Sequence, residues 1–400
     1  MGAAVEAAHS TFISPGISRQ LCSRLEKGVV AVSEEVAQAR RMMSVDALRG
    51  FDMFWLVGGT GLALAIVKLF GPGVQEVLLP QFDHCKWEGC TFYDLIYPLF
   101  IFVVGMSVVF SIEKYKGGGK NWRVYKRIAR RFVLLFVLGV LFYGGFNRPW
   151  PDIRLLGVLQ RIAICYLVTA LLYYHFSIET LAGVAAGLLI GYWALFTFVP
   201  VPSTGLCSFT VDSNWHRFMD ELLLPGRKYD GTWDNNGLLA TLPAVATCLL
   251  GVFAALLIKS DHVPDKRKLA VCIGGGLLMV ALGWIWGFQF PVIKRIWSPS
   301  YVLVAGGYSY VLLGLFYLVV DVWQYRKWAR PFVWIGANPL TIYLAREFAD
   351  FNEFAERFVG GSIANAAGPD IAYLLKTIVS LALSLLVVWF LYRKKIFLRV

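Results

Sequence analysis

About ten apolar runs recur along the chain, each close to the length that a helix needs to cross a bilayer, which is about 20 residues. Hydrophobic residues make up 58% of the 400 residues and charged residues 16%, whereas about a quarter of a soluble domain is charged. The sequence therefore predicts an all-α, polytopic membrane bundle of about ten transmembrane helices. The predicted spans are residues 47–70, 92–112, 128–145, 155–174, 178–199, 237–258, 269–288, 300–321, 332–348 and 372–392.

Lysine and arginine cluster in alternate loops, which predicts the orientation of the bundle. The basic loops are residues 114–131, 259–268 and 322–330, together with the tail at 393–399. These loops are expected on the cytoplasmic side, so an even number of spans places both termini in the cytoplasm. The net charge of +12 then indicates membrane topology rather than a nucleic-acid partner.

The chain divides into a short N-terminal segment and a membrane domain. Residues 1–42 are predicted to form a polar N-terminal tail, and residues 43–400 a single membrane domain. The seven cysteines form no CxxC pair, so the sequence predicts neither a metal site nor a redox motif. A disulfide among Cys85, Cys90 and Cys207 stays open, because spacing alone does not decide it.

Ionisable residues inside the spans need a partner or a function, because each costs about 2.5–3.5 kcal/mol to insert. Asp46, Arg49 and Asp52 share one helical face and can pair along it, either as a salt-bridged helix start or as a ligand site. Arg161 lies within the fourth predicted span. Asp94 and Glu347 are both candidate partners for it.

His84 is the one histidine of five with a potentially buried acid, Asp94, about ten residues away. Asp94 can instead cap a helix, since an acid in a first turn suits the helix dipole. A loop histidine is usually a solvated residue, but histidine is also an effective general base near neutral pH. Both interpretations of the pair stay open at the level of spacing.

Six motifs in one order resemble the heparan-alpha-glucosaminide N-acetyltransferase family. They extend over about residues 43–392 and include His-Cys-Lys-Trp-Glu-Gly at 84–89 and Tyr-Asp-Leu-Ile-Tyr-Pro at 93–98. The motifs lie at residues 44–50, 84–98, 157–161, 234–241, 297–302 and 336–343.

The resemblance implies an enzyme that takes acetyl from cytoplasmic acetyl-CoA and delivers it to an amino sugar on the far side of the membrane. The family's catalytic histidine falls on His84 and its following aspartate on Asp94. His84 could act as the general base, with Asp94 holding its tautomer. Alternatively, His84 could carry the acetyl group as a covalent intermediate.

Binding residues follow from the same comparison and from charge. Coenzyme A is polyanionic and arginine suits phosphate, although positive-inside charge is the alternative explanation for the loop arginines. The expected CoA-binding residues are Arg49, Arg127, Arg131 and Arg161. The expected substrate-binding residues are Trp87, Asp234, Asn338 and Glu347.

The chain departs from the family at the acceptor side. Many relatives read Asp-Pro-Glu-Gly where this chain has Asp-Asn-Asn-Gly at 234–237, so an acid is lost and acceptor recognition can differ. The first motif resembles the bacterial branch, which implies a bacterial inner-membrane protein with another amino sugar or glycan as acceptor.

Three functions are compatible with the sequence. They are N-acetyl transfer to an amino sugar, O-acylation of an envelope polysaccharide, and non-catalytic transport of a sugar or acyl carrier. The sequence shows no internal repeat and places His84 at one mouth of the bundle, which disfavours the transporter. The resemblance also implies a homodimer.

Overall fold

The computed structural model describes residues 42–116, 121–147, 149–348 and 350–397. All but the last residue of the predicted tail, 1–42, lies outside these ranges. The described residues fold into helices without a named strand, and one isolated antiparallel bridge joins Glu88 to Ile293. The predicted all-α membrane bundle is confirmed.

The helices carry labels in chain order. They are α1 Met43–Val67, α2 Pro72–Leu78, α3 Tyr93–Tyr115, α4 Trp122–Phe142, α5 Val158–His175, α6 Ile178–Phe198, α7 Trp215–Leu223, α8 Thr241–Lys259, α9 Asp265–Gly287, α10 Pro299–Val322, α11 Arg330–Ala337, α12 Pro339–Phe348, α13 Phe351–Val359, α14 Ser362–Ala367 and α15 Pro369–Arg393.

Eight of these helices, among the residues the structure describes, are long and apolar enough to cross a bilayer: α1, α3, α5, α6, α8, α9, α10 and α15. Helix α4 overlaps the third predicted span, 128–145, but begins six residues before it and carries arginine and lysine through its first half. The prediction of one continuous helix over 332–348 is wrong. The helix stops at Asn338 (φ −133°, ψ 49°), because Pro339 disfavours helical geometry in the residue before it.

Helices α3 and α8 touch backbone to backbone at the centre of the bundle. A Cβ atom at Gly105 would lie 1.8 Å from the carbonyl oxygen of Cys248, and one at Gly251 would lie 1.9 Å from that of Phe102. Small residues allow this approach, which membrane helices use in place of a hydrophobic driving force. The contact fixes α3, whose first turn carries Asp94.

The α9–α10 loop folds against the loop that precedes α3. The backbone N–H of Gly89 donates to the carbonyl of Val292 over 2.8 Å. From the other side, the Tyr192 hydroxyl of α6 donates to the carbonyl of Ile296 over 2.6 Å. Two loops that are about 200 residues apart in sequence are thereby held at one end of the bundle.

Candidate active site

Three charged or titratable side chains meet where α3 begins. His84 Nδ1 lies 2.9 Å from Asp94 Oδ1, and Lys294 Nζ lies 3.0 Å from each of these two atoms. Asp94 is fully buried, whereas the His84 side chain is 54% exposed. The carboxylate therefore lies at the buried end of the site, and the imidazole reaches the surface. We call this set the His84–Asp94–Lys294 cluster.

The second carboxylate oxygen of Asp94 is occupied by the loop that precedes α3. Asp94 Oδ2 accepts from the backbone N–H groups of Cys85 and Thr91 over 3.1 and 3.2 Å. The Thr91 hydroxyl lies 3.0 Å from the same oxygen and donates to the nearer carbonyl of Asp83 over 2.7 Å. The two backbone donors hold the carboxylate in place and favour its ionised form. Asp94 Oδ1 is left to face His84 and Lys294.

Lys294 is the residue that sequence reasoning missed. It comes from the α9–α10 loop, 210 positions after His84, and its side chain is 19% exposed. Burial lowers the pKa of Lys294, and the neighbouring Asp94 carboxylate opposes that shift. A single lysine in a loop has no pattern that marks it as a site residue. The one sequence signal for Lys294 is that it stands three residues before the family motif that begins at Trp297.

A cavity of about 250 Å³ opens beside the cluster, with His84 and Lys294 in its wall. Tyr93 packs against the imidazole at a ring-centroid distance of 4.8 Å. Most other lining side chains are apolar or aromatic, and amide groups come from Asn235 and Asn236. A mainly apolar pocket with a few convergent polar groups is the usual form of a small-molecule site.

Arg161 lies behind the wall of this cavity and is fully buried. Its Nη2 donates to the backbone carbonyl of Asn235 over 3.0 Å, and its guanidinium stands 5.0 Å from the ring of Trp297. Nε and Nη1 have no hydrogen-bond partner within the described part of the chain. Asp94 pairs with Lys294 and not with Arg161, whereas the side chain of Glu347 falls outside the described residues.

The polar face of α1 is only partly paired. Arg49 contacts Asp46 over 3.4 Å and donates to the Ser107 hydroxyl of α3 over 2.7 Å. Asp52 is buried, and neither of its carboxylate oxygens has a hydrogen-bond partner among the residues described. The predicted pairing along this face is therefore right for Asp46 and Arg49 and wrong for Asp52.

Two further arginines of the expected CoA set lie on α4. Arg127 donates to the backbone carbonyl of Ser111 over 3.3 Å, and Arg131 stands 4.4 Å from the centre of the Tyr166 ring. Neither lines the cavity that holds His84. They join the other basic residues at the start of α4.

Asp234, between α6 and α8, forms a buried ion pair with Arg154, which lies in the loop between α4 and α5. Its two carboxylate oxygens accept from Nε and Nη2 of Arg154, each over 2.7 Å. The backbone N–H groups of Tyr229 and Asn236 also donate to it, over 3.0 and 2.9 Å. Both side-chain oxygens of Asp234 are thus bound by protein donors, whereas its neighbours Asn235 and Asn236 line the cavity. The role of Asp234 in substrate binding stays a prediction.

Trp87 and Asn338 likewise bind protein groups rather than line the cavity. Trp87 Nε1 donates to the carbonyl of Phe209 over 2.8 Å. Asn338 is 1% exposed and donates to the carbonyl of Ile396 over 3.1 Å. The residues that follow Asn338, Pro339 and Leu340, line the cavity instead.

Three cysteines, two of them close to His84 in sequence, were open to a disulfide. Cys85, Cys90 and Cys207 are free thiols in the described structure. Burial is the main cause that raises the pKa of the Cys90 thiol to about 12. Cys90 is therefore uncharged at neutral pH, while Cys85 lines the cavity beside His84.

A second histidine, His216, is buried under the α6–α8 loop. Its Nε2 donates to the carbonyl of Asp234 over 2.8 Å, and its Nδ1 accepts from the N–H of Ala240 over 3.3 Å. Acceptance at Nδ1 requires the neutral ring, and burial lowers the pKa of His216. This histidine serves the structure of the loop.

The fold and the cluster define a multi-pass membrane protein with a histidine, a buried carboxylate and a lysine at the mouth of a mainly apolar cavity. Residues 41–202 match a family model described as a domain of unknown function (DUF5009). The chain is 28% identical to human heparan-alpha-glucosaminide N-acetyltransferase over 89% of its length, and 26% identical to the mouse protein of that name over 92%.

These comparisons confirm the resemblance that the motifs indicated. The match covers 59% of the human protein and 62% of the mouse protein. The chain therefore spans about three fifths of the length of these relatives.

Proposed function

We propose that this chain is a membrane acyltransferase that moves an acetyl group from cytoplasmic acetyl-CoA to an amino sugar or glycan on the opposite side. The observation that carries the proposal is the 2.9 Å contact between His84 and the buried Asp94 at the mouth of a cavity. The relatives are named for N-acetyl transfer to a glucosaminide, which supports the reaction class.

The chemistry needs a base where His84 stands. When an amine attacks the thioester carbonyl, a nitrogen–carbon bond forms, the carbon–sulfur bond breaks, and the amine must lose a proton. Nε2 of His84 can take that proton when Nδ1–H donates to Asp94, and a positioned base contributes about 10²–10⁴-fold.

A covalent route uses the same atoms. The neutral Nε2 would attack the thioester, release the thiolate of coenzyme A and carry the acetyl group to the acceptor. Chemical quenching during turnover separates the two routes, because only the second one accumulates acetyl on His84.

Arg161 is the best-supported CoA contact of the four predicted arginines. A buried guanidinium with two nitrogens that lack partners among the described residues is costly to maintain, and an anionic or carbonyl group of the donor in the adjoining cavity would satisfy it. Arg49, Arg127 and Arg131 stay as proposed contacts for the phosphates, on the side that the basic loops assign to the cytoplasm.

The decisive experiment measures transfer of labelled acetyl from acetyl-CoA to a panel of amino sugars and glycans in reconstituted vesicles. We expect His84→Ala to lower turnover by at least about 10²-fold while the protein still binds coenzyme A. Lys86→Ala is the matched control, because Lys86 is an exposed side chain of the same loop. Normal turnover by His84→Ala would refute the proposal.

Sidedness has its own test. A cysteine in Lys266→Cys, at the exposed first turn of α9, should react with an impermeant thiol reagent only from the cytoplasm. The native, exposed Cys207 should react only from the opposite side. Labelling of both thiols from one side would overturn the proposed orientation. The bacterial inner membrane and a homodimer complete the proposal, and the homodimer predicts twice the monomer mass in detergent.

A further inference from the structure

We propose that Lys294 is a positioning residue whose ammonium balances the buried Asp94 carboxylate, so that His84 stays a neutral base. In this arrangement Nδ1–H of His84 donates to Asp94, and Nε2 keeps its lone pair. The observation is that His84 Nδ1 and Lys294 Nζ lie 2.9 and 3.0 Å from the same oxygen, Asp94 Oδ1. The inference rests on the proposed acetyl transfer, which gives Nε2 its role as base.

The two oxygens of Asp94 are surrounded by donors. An ionised carboxylate only accepts hydrogen bonds and has about four lone-pair sites. Oδ2 accepts from the backbone N–H groups of Cys85 and Thr91, and Oδ1 faces His84 and the ammonium of Lys294. The contact between His84 and Oδ1 is a hydrogen bond only when Nδ1 carries a proton. Four donors then match four lone-pair sites, and the lone pair of the neutral ring is on Nε2.

Lys294 is the cation that Asp94, a fully buried carboxylate, needs as a partner. An isolated lysine holds its proton more firmly than an isolated histidine by about four pH units. Burial lowers the pKa of Lys294, and the Asp94 carboxylate opposes that shift. A second cation on the ring of His84 would stand 3.0 Å from the first, which is repulsive. One ammonium and one carboxylate therefore balance each other and leave the imidazole neutral.

The backbone holds Lys294 in this place. The preceding residue, Ile293, forms the antiparallel bridge to Glu88, which lies in the loop before α3. After the lysine, the hydroxyl of Tyr301, in the first turn of α10, donates to the backbone carbonyl of Asp94 over 2.7 Å. The chain is therefore tied to the start of α3 on both sides of Lys294, and the ammonium is presented to the carboxylate by the fold.

Lys294 acts on catalysis through His84. During attack the nitrogen–carbon bond of the new amide forms, the carbon–sulfur bond breaks, and Nε2 takes the proton that the amine loses. His84 is then a second cation 3.0 Å from Lys294, so the ring readily gives this proton to the departing thiolate of coenzyme A. The neutral imidazole is restored, and Lys294 and Asp94 keep their charges throughout.

Nitrogen-15 NMR of the histidine-labelled, purified full-length protein tests the proposal, because a protonated ring nitrogen and an unprotonated one differ widely in chemical shift. The His84 signals are assigned by their loss in His84→Gln. Near pH 7.5 we expect a single ring proton, on Nδ1, in the wild type and in Lys294→Arg. In Lys294→Met we expect protons on both ring nitrogens, because Asp94 then takes its cation from His84. Lys86→Met, which removes an exposed lysine of the same loop, should leave the spectrum unchanged.

The wild-type spectrum decides even if no variant folds. An unprotonated Nδ1 or a doubly protonated ring in the wild type would overturn the proposal. A wild-type spectrum from folded Lys294→Met would do the same, because a purely structural lysine changes stability and leaves the protons of His84 in place. A doubly protonated ring in folded Lys294→Arg would show that a cation at this position is not what keeps His84 neutral, and would also overturn it.

Steady-state kinetics add a second readout. We expect kcat of Lys294→Met to fall at least about tenfold, since its base is already protonated, and Lys294→Arg to keep most of kcat. A raised KM for acetyl-CoA at unchanged kcat in Lys294→Met would make Lys294 a substrate contact and contradict the proposal. The spectra are recorded without any substrate, so failure of acetyl transfer and failure of charge balance are separate results.

Discussion

The buried pair of Arg154 and Asp234 gives the sharpest energetic prediction. Arg154→Met removes two charge-assisted hydrogen bonds of 2.7 Å and leaves the carboxylate fully buried. Only backbone donors, the N–H groups of Tyr229 and Asn236, then remain on it. Breaking a buried ion pair from one side costs about 3–5 kcal/mol, so we expect a loss of that order in the free energy of unfolding.

The measurement is thermal or denaturant unfolding in one detergent, followed by tryptophan fluorescence. Arg217 and Glu221 supply the matched control, because they pair over a similar 2.9 Å but are partly exposed, at 28% and 40%. Glu221→Gln should cost at most about 1 kcal/mol. The reasoning fails if Arg154→Met lies within about 1 kcal/mol of the wild type.

The same series decides the role of Asp234. If Asp234 anchors the loop, Asp234→Asn lowers stability as Arg154→Met does, and the double variant costs much less than the sum of the two. If Asp234 instead binds the acceptor, Asp234→Asn raises KM while stability is kept. The structure favours the first outcome, since every side-chain oxygen of Asp234 already accepts hydrogen bonds.

Three other predictions follow from the described contacts. Gly105→Ala should lower the free energy of unfolding by about 3 kcal/mol, the upper end for overpacking, because its Cβ would overlap the carbonyl oxygen of Cys248. Gly187→Ala, whose Cβ would meet open space, should raise that free energy by about 0.5–1 kcal/mol. Unfolding midpoints of the two variants check this difference. Burial lowers the pKa of His216 in the native protein, so the unfolded chain binds the proton more readily and stability should fall as the pH falls below about 6.5, by up to about 1.4 kcal/mol per pH unit. His216→Gln should flatten that dependence, and an unchanged slope between pH 7.5 and 5.5 would contradict it. Arg161→Met should weaken the binding of coenzyme A, measured by calorimetry, by at least about tenfold, as expected for a lost charged hydrogen bond. Equal affinity of the variant and the wild type would mean that Arg161 does not contact coenzyme A.

The sequence determined the membrane class because apolar runs of spanning length can be recognised without any knowledge of the fold. A bilayer fixes the number of apolar residues per helix, so the spans of α3 and α8 were predicted to within a few residues. His84 and Asp94 were also accessible from sequence, since they stand ten positions apart in one motif and their contact forms within a single loop and helix turn.

Only the tertiary structure decided which charges meet across the chain. Lys294 reaches His84 over 210 positions, and Arg154 reaches Asp234 over 80, because folded loops bring them together. No local pattern encodes such pairs, since an ion pair depends on distance in space rather than on spacing. The sequence by itself thus determined a helical membrane bundle and a histidine with its acid. The packing of two distant loops decided that a lysine completes the cluster and that Asp234 is bound by the protein itself.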